Sequence, residues 1–144
     1  MDLDLSMFAA EDTAEWDVPH PVTGEPSGWK WTFAGPGHPQ TVEAANRATR
    51  RRLEEEKRME AARVNGKKWK PEDRTVEELR RENVRLVVDR LIGWTPIKIN
   101  GEDYPFSREN AESLLLNPAM VRLYNGAIGF LADEESFTPR SATE

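Results

Sequence analysis

The chain has 144 residues, 38% hydrophobic and 32% charged, with 20 basic against 26 acidic side chains and a formal charge of −6. That length suits one small domain with appendages, and no apolar run approaches the roughly 20 residues a membrane span needs. Cysteine is absent and histidine occurs twice, at His20 and His38, which removes disulfides, thiolate catalysis and cysteine zinc sites and leaves a thin inventory for an enzyme.

Residues 1–17 hold six acids and no base, so residues 1–13 are expected to form an acidic, disordered arm. The opening MDLDLSMFAAEDTAEWD carries acids where a secretory signal carries bases and then an apolar stretch, so export is not expected. Residues 14–36 read as a β-hairpin. Ala14, Trp16 and Val18 alternate with Glu15 and Asp17, and Trp29, Trp31 and Phe33 alternate with Lys30 and Thr32, the period-two pattern of strands. Between them PHPVTGEPSG, dense in proline and glycine, suits a connecting loop longer than a tight turn.

Residues 40–65 read as a long, exposed, charged helix, rich in Ala, Arg, Glu, Lys and Met and stopped by Asn65-Gly66. Its apolar content is only Val42, Leu53, Met59 and Val64 besides alanines, a stripe too narrow to bury without a partner. Residues 47–70 hold ten bases against four acids, a local charge of +6, and GKKWKPED reads as the linker that follows. Residues 75–137 are the expected helical core. Thr75 and Glu78 form a capping box, and Val76, Leu79, Asn83, Leu86, Val87 and Leu91 recur at helical spacing until Gly93. Ile97 and Ile99 precede Asn100-Gly101, a strong hairpin signal. Ser107 then caps a short helix through Leu116, and Pro118 sits in the first turn of a last helix with Met120, Tyr124, Ala127, Ile128 and Leu131 inward. Residues 138–144 read as a flexible tail. The expected core is Leu79, Leu86, Val87, Leu91, Trp94, Phe106, Leu114, Leu115, Tyr124, Ile128 and Leu131. The whole reads as mainly α: a small helical domain with an N-terminal β-hairpin and a short second hairpin between helices.

No catalytic constellation, cofactor motif or metal site emerges. His20 and His38 lie 18 residues apart in proline-rich loops, where a histidine capping a carbonyl is the expected role. The paired carboxylates sit in highly charged stretches that resist desolvation and hence pKa tuning. No phosphate-binding glycine loop or nucleophile elbow is present. The basic helix with Trp69 beyond it has the ingredients of a nucleic-acid contact. The acidic total and the Glu54-Glu55-Glu56 run argue against it, and nucleic acid is not the expected partner. The aromatic hairpin face has two readings: a protein-binding surface, since tryptophan anchors interfaces, or the cover of the helical core.

From about Leu86 to Phe137 the chain resembles the tail assembly chaperones of long-tailed bacteriophages. The resemblance is carried by a helix running into Gly93-Trp94, the short hairpin PIKINGEDYPF, the Ser-capped SRENAESLLLNP and a last helix ending in LADEESF. HPVTGEPSGWKWTFAGPGHP followed by a charged helix is similar to the front of such proteins. The resemblance implies a mostly helical, non-enzymatic assembly factor in the cytoplasm of the bacterial host. Its partners would be the tape measure protein, whose apolar helices it shields, and the tail tube protein, which displaces it; homo-oligomers are compatible with that role. Partner contacts are expected on Trp16, Trp29, Trp31, Phe33, Val42, Leu53 and Met59. The same surfaces would also serve a structural virion component, such as a connector, completion or capsid-associated protein.

Overall fold

A computed structural model describes residues 3–66 and 75–137. Trp69 with its linker and the expected tail at 138–144 lie outside the described residues. Strands β1 (Thr13–Pro19) and β2 (Pro26–Ala34) form the expected hairpin, followed by helices α1 (Pro39–Val64) and α2 (Val76–Arg90). Strand β3 (Leu91–Trp94), a hairpin of two-residue strands β4 (Lys98–Ile99) and β5 (Glu102–Asp103), and helices α3 (Arg108–Leu116) and α4 (Val121–Ala132) follow, with 3-10 turns at Pro118–Met120 and Glu134–Phe137.

The expectation of a mainly α fold is corrected by the sheet. β1, β2 and β3 form one antiparallel three-stranded sheet in that order, making the domain a mixed α/β structure. α2 ends at Arg90 rather than at Gly93, because Leu91 turns extended (φ −81, ψ 122) and Leu91–Trp94 pairs with β2 as β3. Trp31 faces Trp94, Thr32 faces Gly93 and Phe33 faces Leu91. In the hairpin Trp16 faces Trp31 and Ala14 faces Phe33, with an irregularity between Asp17 and Pro19. Period-two alternation therefore sends Trp16, Val18, Trp31 and Phe33 to one face, and that face is the core.

Helices α2, α3 and α4 pack against one another, and α4 also meets β1. Val84, Val87 and Val88 of α2, Ala111, Leu114 and Leu115 of α3, and Ala127 of α4 are buried with the aromatic strands. Ring contacts run through the centre: Trp16 meets Trp31 edge-on at 5.3 Å, Trp31 meets Trp94 at 5.5 Å, and Phe33 stacks on Phe130 at 5.5 Å. Such pairs add roughly 0.5–1.5 kcal/mol each beyond the area they bury. Phe137 closes the end of the domain under Arg90, whose guanidinium lies 5.0 Å from the ring. That guanidinium also donates twice to the Ala34 carbonyl, and burial pushes its pKa below the usual arginine value.

Local signals account for the ends of these elements. The Thr75 hydroxyl accepts from Glu78 N–H at 3.1 Å and the Ser107 hydroxyl from Asn110 N–H at 3.0 Å. Asn100 and Gly101 take φ of 51 and 84, the left-handed pair that a two-residue hairpin turn requires. Both histidine side chains cap, but not as expected: among the described residues each ring accepts from a backbone N–H rather than donating to a carbonyl. His38 Nδ1 accepts from Gln40 N–H at the start of α1, and His20 Nδ1 accepts from Val22 N–H in the β1–β2 loop. Within the arm expected to be disordered, Leu5–Phe8 form a 3-10 turn capped by Asp4. The Ser6 N–H bond holds the Asp4 carboxyl below its ordinary pKa. Further on, Glu11 N–H donates to Phe137 and Gly35 N–H to Asp12, fixing the arm's root to the domain.

The expected core needs three corrections. Leu79 and Leu86 are 45% and 56% exposed, and Ile128 is 36% exposed. α2 carries two apolar lines, and the sheet and α3 cover the one through Val84, Val87 and Val88. Leu79 and Leu86, two turns apart on the other line, face outward beside α1. On α4 the inward positions go to Ala127 and the partly buried Leu123, Tyr124 and Phe130.

Candidate functional site

The residues expected to meet a partner divide into two groups. Trp31 and Phe33 are wholly buried and Trp16 is nearly so, so the folded domain withholds them. Three quarters of the proposed aromatic surface is thereby corrected to core, because three helices cover that face of the sheet. Trp29 sits at the core's edge. Its ring packs on Trp31 and Trp94, and its indole N–H donates to the Thr95 carbonyl at 3.0 Å.

The second group lies on α1, whose 26 residues include none that is buried. Helix-forming side chains make this segment helical, but the apolar side chains on its inner side are small, with Ala44, Ala48 and Ala62 half-buried. α1 packs against α2, and it is latched at one end. Gln40 Nε2 donates to the Asp89 and Leu91 carbonyls at 2.8 and 3.1 Å, and Arg47 approaches the Asp89 carboxylate at 3.8 Å. That carboxylate is buried and also accepts from Arg108 at 2.6 Å, so one acid ties α1, α2 and α3 together. Farther along, the two helices flank a groove lined by Ala48, Arg51, Arg52 and Glu55 on one side and by Glu82 and Leu86 on the other.

Val42, Leu53 and Met59 are all exposed, as expected, but they do not form a single stripe. Val42, Leu53 and Val64 recur every eleven residues, about three helical turns, and so share one line. Met59 lies eleven residues beyond Ala48, on the line facing α2. With Leu79 and Leu86, the α1–α2 pair displays apolar side chains along two lines separated by charged ones. Sequence reasoning placed Leu79 and Leu86 inside; their spacing of seven marked a common line without saying which side was covered.

A third feature went unread in the sequence. Beside the β1–β2 loop opens a cleft of about 750 Å³, floored by Trp16, Val18 and Trp29 and walled by Pro21, Met120 and Leu123. Arg122 braces one wall by donating to the Pro21 carbonyl at 3.0 Å. Gly126 lets α4 approach the floor, since a Cβ there would lie 2.6 Å from Trp16 Cζ2. An isolated mid-helix glycine is the signal that could have revealed this close approach.

Among the described residues no group of three His, Asp or Glu side chains is placed to hold a metal ion. No described helix is long and apolar enough to cross a membrane. Comparison with protein-family models, with curated proteins and with solved structures finds no match. The displayed apolar lines of α1 and α2 and the cleft are therefore read on their own chemistry.

Proposed function

We propose that the protein is a non-enzymatic assembly factor, a phage tail assembly chaperone acting in the cytoplasm of the bacterial host. It binds the tape measure protein through the outer faces of α1 and α2 and gives way to the tail tube protein. The observation that carries this reading is the 26-residue helix α1 without a buried residue, which displays Val42, Leu53 and Val64, while α2 separately leaves Leu79 and Leu86 exposed. The sequence resemblance supplies the class of partner. Apolar positions alternating with charge give contacts that are individually small, so exchange is fast and a competing subunit can replace the chaperone. Trp16, Trp31 and Phe33 hold the core of the domain together rather than touching the partner.

The test is co-expression of the chain with the tape measure and tail tube proteins encoded beside it, followed by affinity capture and mass analysis. Recovery of the tape measure protein in the chain's complex, and loss of the chain from finished particles, supports the reading. Presence of the chain in purified particles makes it a structural virion component instead. Capture of nucleic acid that weakens steeply with salt would transfer the role to the basic side chains of α1.

A further inference from the structure

The cleft and the N-terminal segment lie at opposite ends of β1 and are chemically complementary. The cleft is apolar at its floor, and among the described residues Arg122 and His20 line it while no carboxylate does. The segment before β1 is the converse. Leu3, Leu5 and Phe8 are 76%, 86% and 73% exposed, Asp4 stands between the leucines, and no Lys or Arg occurs before Lys30. An apolar cleft of this size falls in the roughly 300–1,000 Å³ range that holds compact ligands. Large apolar side chains displayed together in one short segment are an unpaired half of such a contact.

In this structure the segment does not occupy its own cleft: Leu3, Leu5 and Phe8 are exposed and line no part of it. Hydrogen bonds from Glu11 N–H to Phe137 and from Gly35 N–H to Asp12, 2.8 and 2.6 Å long, fix the segment's root beyond the Thr13 end of β1. Phe8 is three residues from Glu11, a reach of at most about 10 Å. The near edge of the floor, Trp16, lies about 10 Å along β1 from Thr13, and Val18 and Pro19 lie about 17–20 Å along it, so Phe8 does not cover the floor of its own copy. We infer that the cleft of one copy receives the Leu5–Phe8 segment of a second copy. Leu5 and Phe8 would lie over Trp16 and Trp29, and the Asp4 carboxylate would face Arg122. The contact joins two different surfaces, so each copy keeps a free segment or a free cleft, and association continues until a ring closes or the chain of copies ends. This inference does not depend on the chaperone reading.

The test uses the full chain and a synthetic peptide of residues 1–12. Sedimentation velocity over about 1–500 µM, the range where a modest contact titrates, should show concentration-dependent association. The double variant Leu5→Asp with Phe8→Asp should abolish it. That variant keeps its cleft, so the wild-type peptide should still bind it and shift tryptophan emission through Trp16 and Trp29. A peptide carrying the same two substitutions should bind about 100-fold more weakly, the loss expected for two apolar side chains. Because the peptide arm leaves the protein's own fold unaltered, misfolding cannot mimic the result. A chain that stays monomeric throughout, association that survives the double substitution, or a wild-type peptide that leaves the emission unchanged would each overturn the inference.

Discussion

Two glycines on α4 allow the packing of that helix to be measured against an internal reference. Replacing either Gly126 or Gly129 by alanine gains the same helix propensity, about 0.8–1 kcal/mol. At Gly129 nothing lies within 4 Å of the new Cβ, so the gain is realised. At Gly126 the Cβ would lie 2.6 and 2.9 Å from Cζ2 and Cη2 of Trp16. That ring cannot swing aside, because Trp31 meets it edge-on at 5.3 Å and Phe130 and Phe33 flank it at 6.4 and 6.5 Å. Overpacking against a fixed group costs about 1–3 kcal/mol. Gly129→Ala should therefore stabilise by up to about 1 kcal/mol, with Gly126→Ala lying about 1–3 kcal/mol below it. Urea denaturation followed by far-UV circular dichroism gives both values. If Gly126→Ala gains as much stability as Gly129→Ala, α4 does not rest on Trp16 and the floor of the cleft is misplaced.

Other expectations follow from burial and pairing. Trp31→Ala should cost about 3–5 kcal/mol in the same denaturation experiment, as large core truncations do, while Leu53→Asp, on the exposed line, should stay within about 0.5 kcal/mol. Equal losses at the two positions would contradict the division between core and displayed surface. Asp89→Ala should cost about 1–3 kcal/mol; the acid is buried, but its arginine partners are half exposed and retain water. A double-mutant cycle with Arg108→Ala should show coupling, and simple additivity would remove the ion pair from the account. The lowered pKa of Asp4 makes its cap on Ser6 fully formed above the ordinary carboxyl value and lost as pH falls through the lowered one. The Ser6 amide should titrate by NMR with a midpoint below 3.8, and a midpoint at or above that value would mean the cap is not formed.

Much of the fold was legible where the signal is local. Alternation from Ala14 to Val18 and from Trp29 to Phe33, the caps at Thr75 and Ser107, and the Asn100-Gly101 turn each record a short-range preference. β3 was not legible. LIGW is four residues long with no alternation, and only its pairing to β2 makes it a strand, so helical periodicity through Leu91 was the stronger local pattern. The exposure of Leu79 and Leu86 was hidden for a related reason. α2 has two apolar lines, and the choice between them depends on the sheet and α3, which lie elsewhere in the chain. The aromatic face was visible as a unit, yet whether it covered a core or met a partner depended on the three helices packed on it. The cleft arises from a loop, a strand and a helix start brought together by folding, and Gly126 alone foreshadowed it.

The displayed lines of α1 and α2 are the centre of the functional account, and the most direct test compares how well the chain keeps a tape measure protein soluble with and without them. The variant Leu53→Asp, Leu79→Asp, Leu86→Asp should retain the circular dichroism and cooperative unfolding of the wild type, because all three side chains are exposed. Co-expressed wild-type chain should hold the tape measure protein in the soluble fraction, and the variant should leave it in the pellet. A tape measure protein equally soluble with the variant, or with no chain at all, would contradict the account.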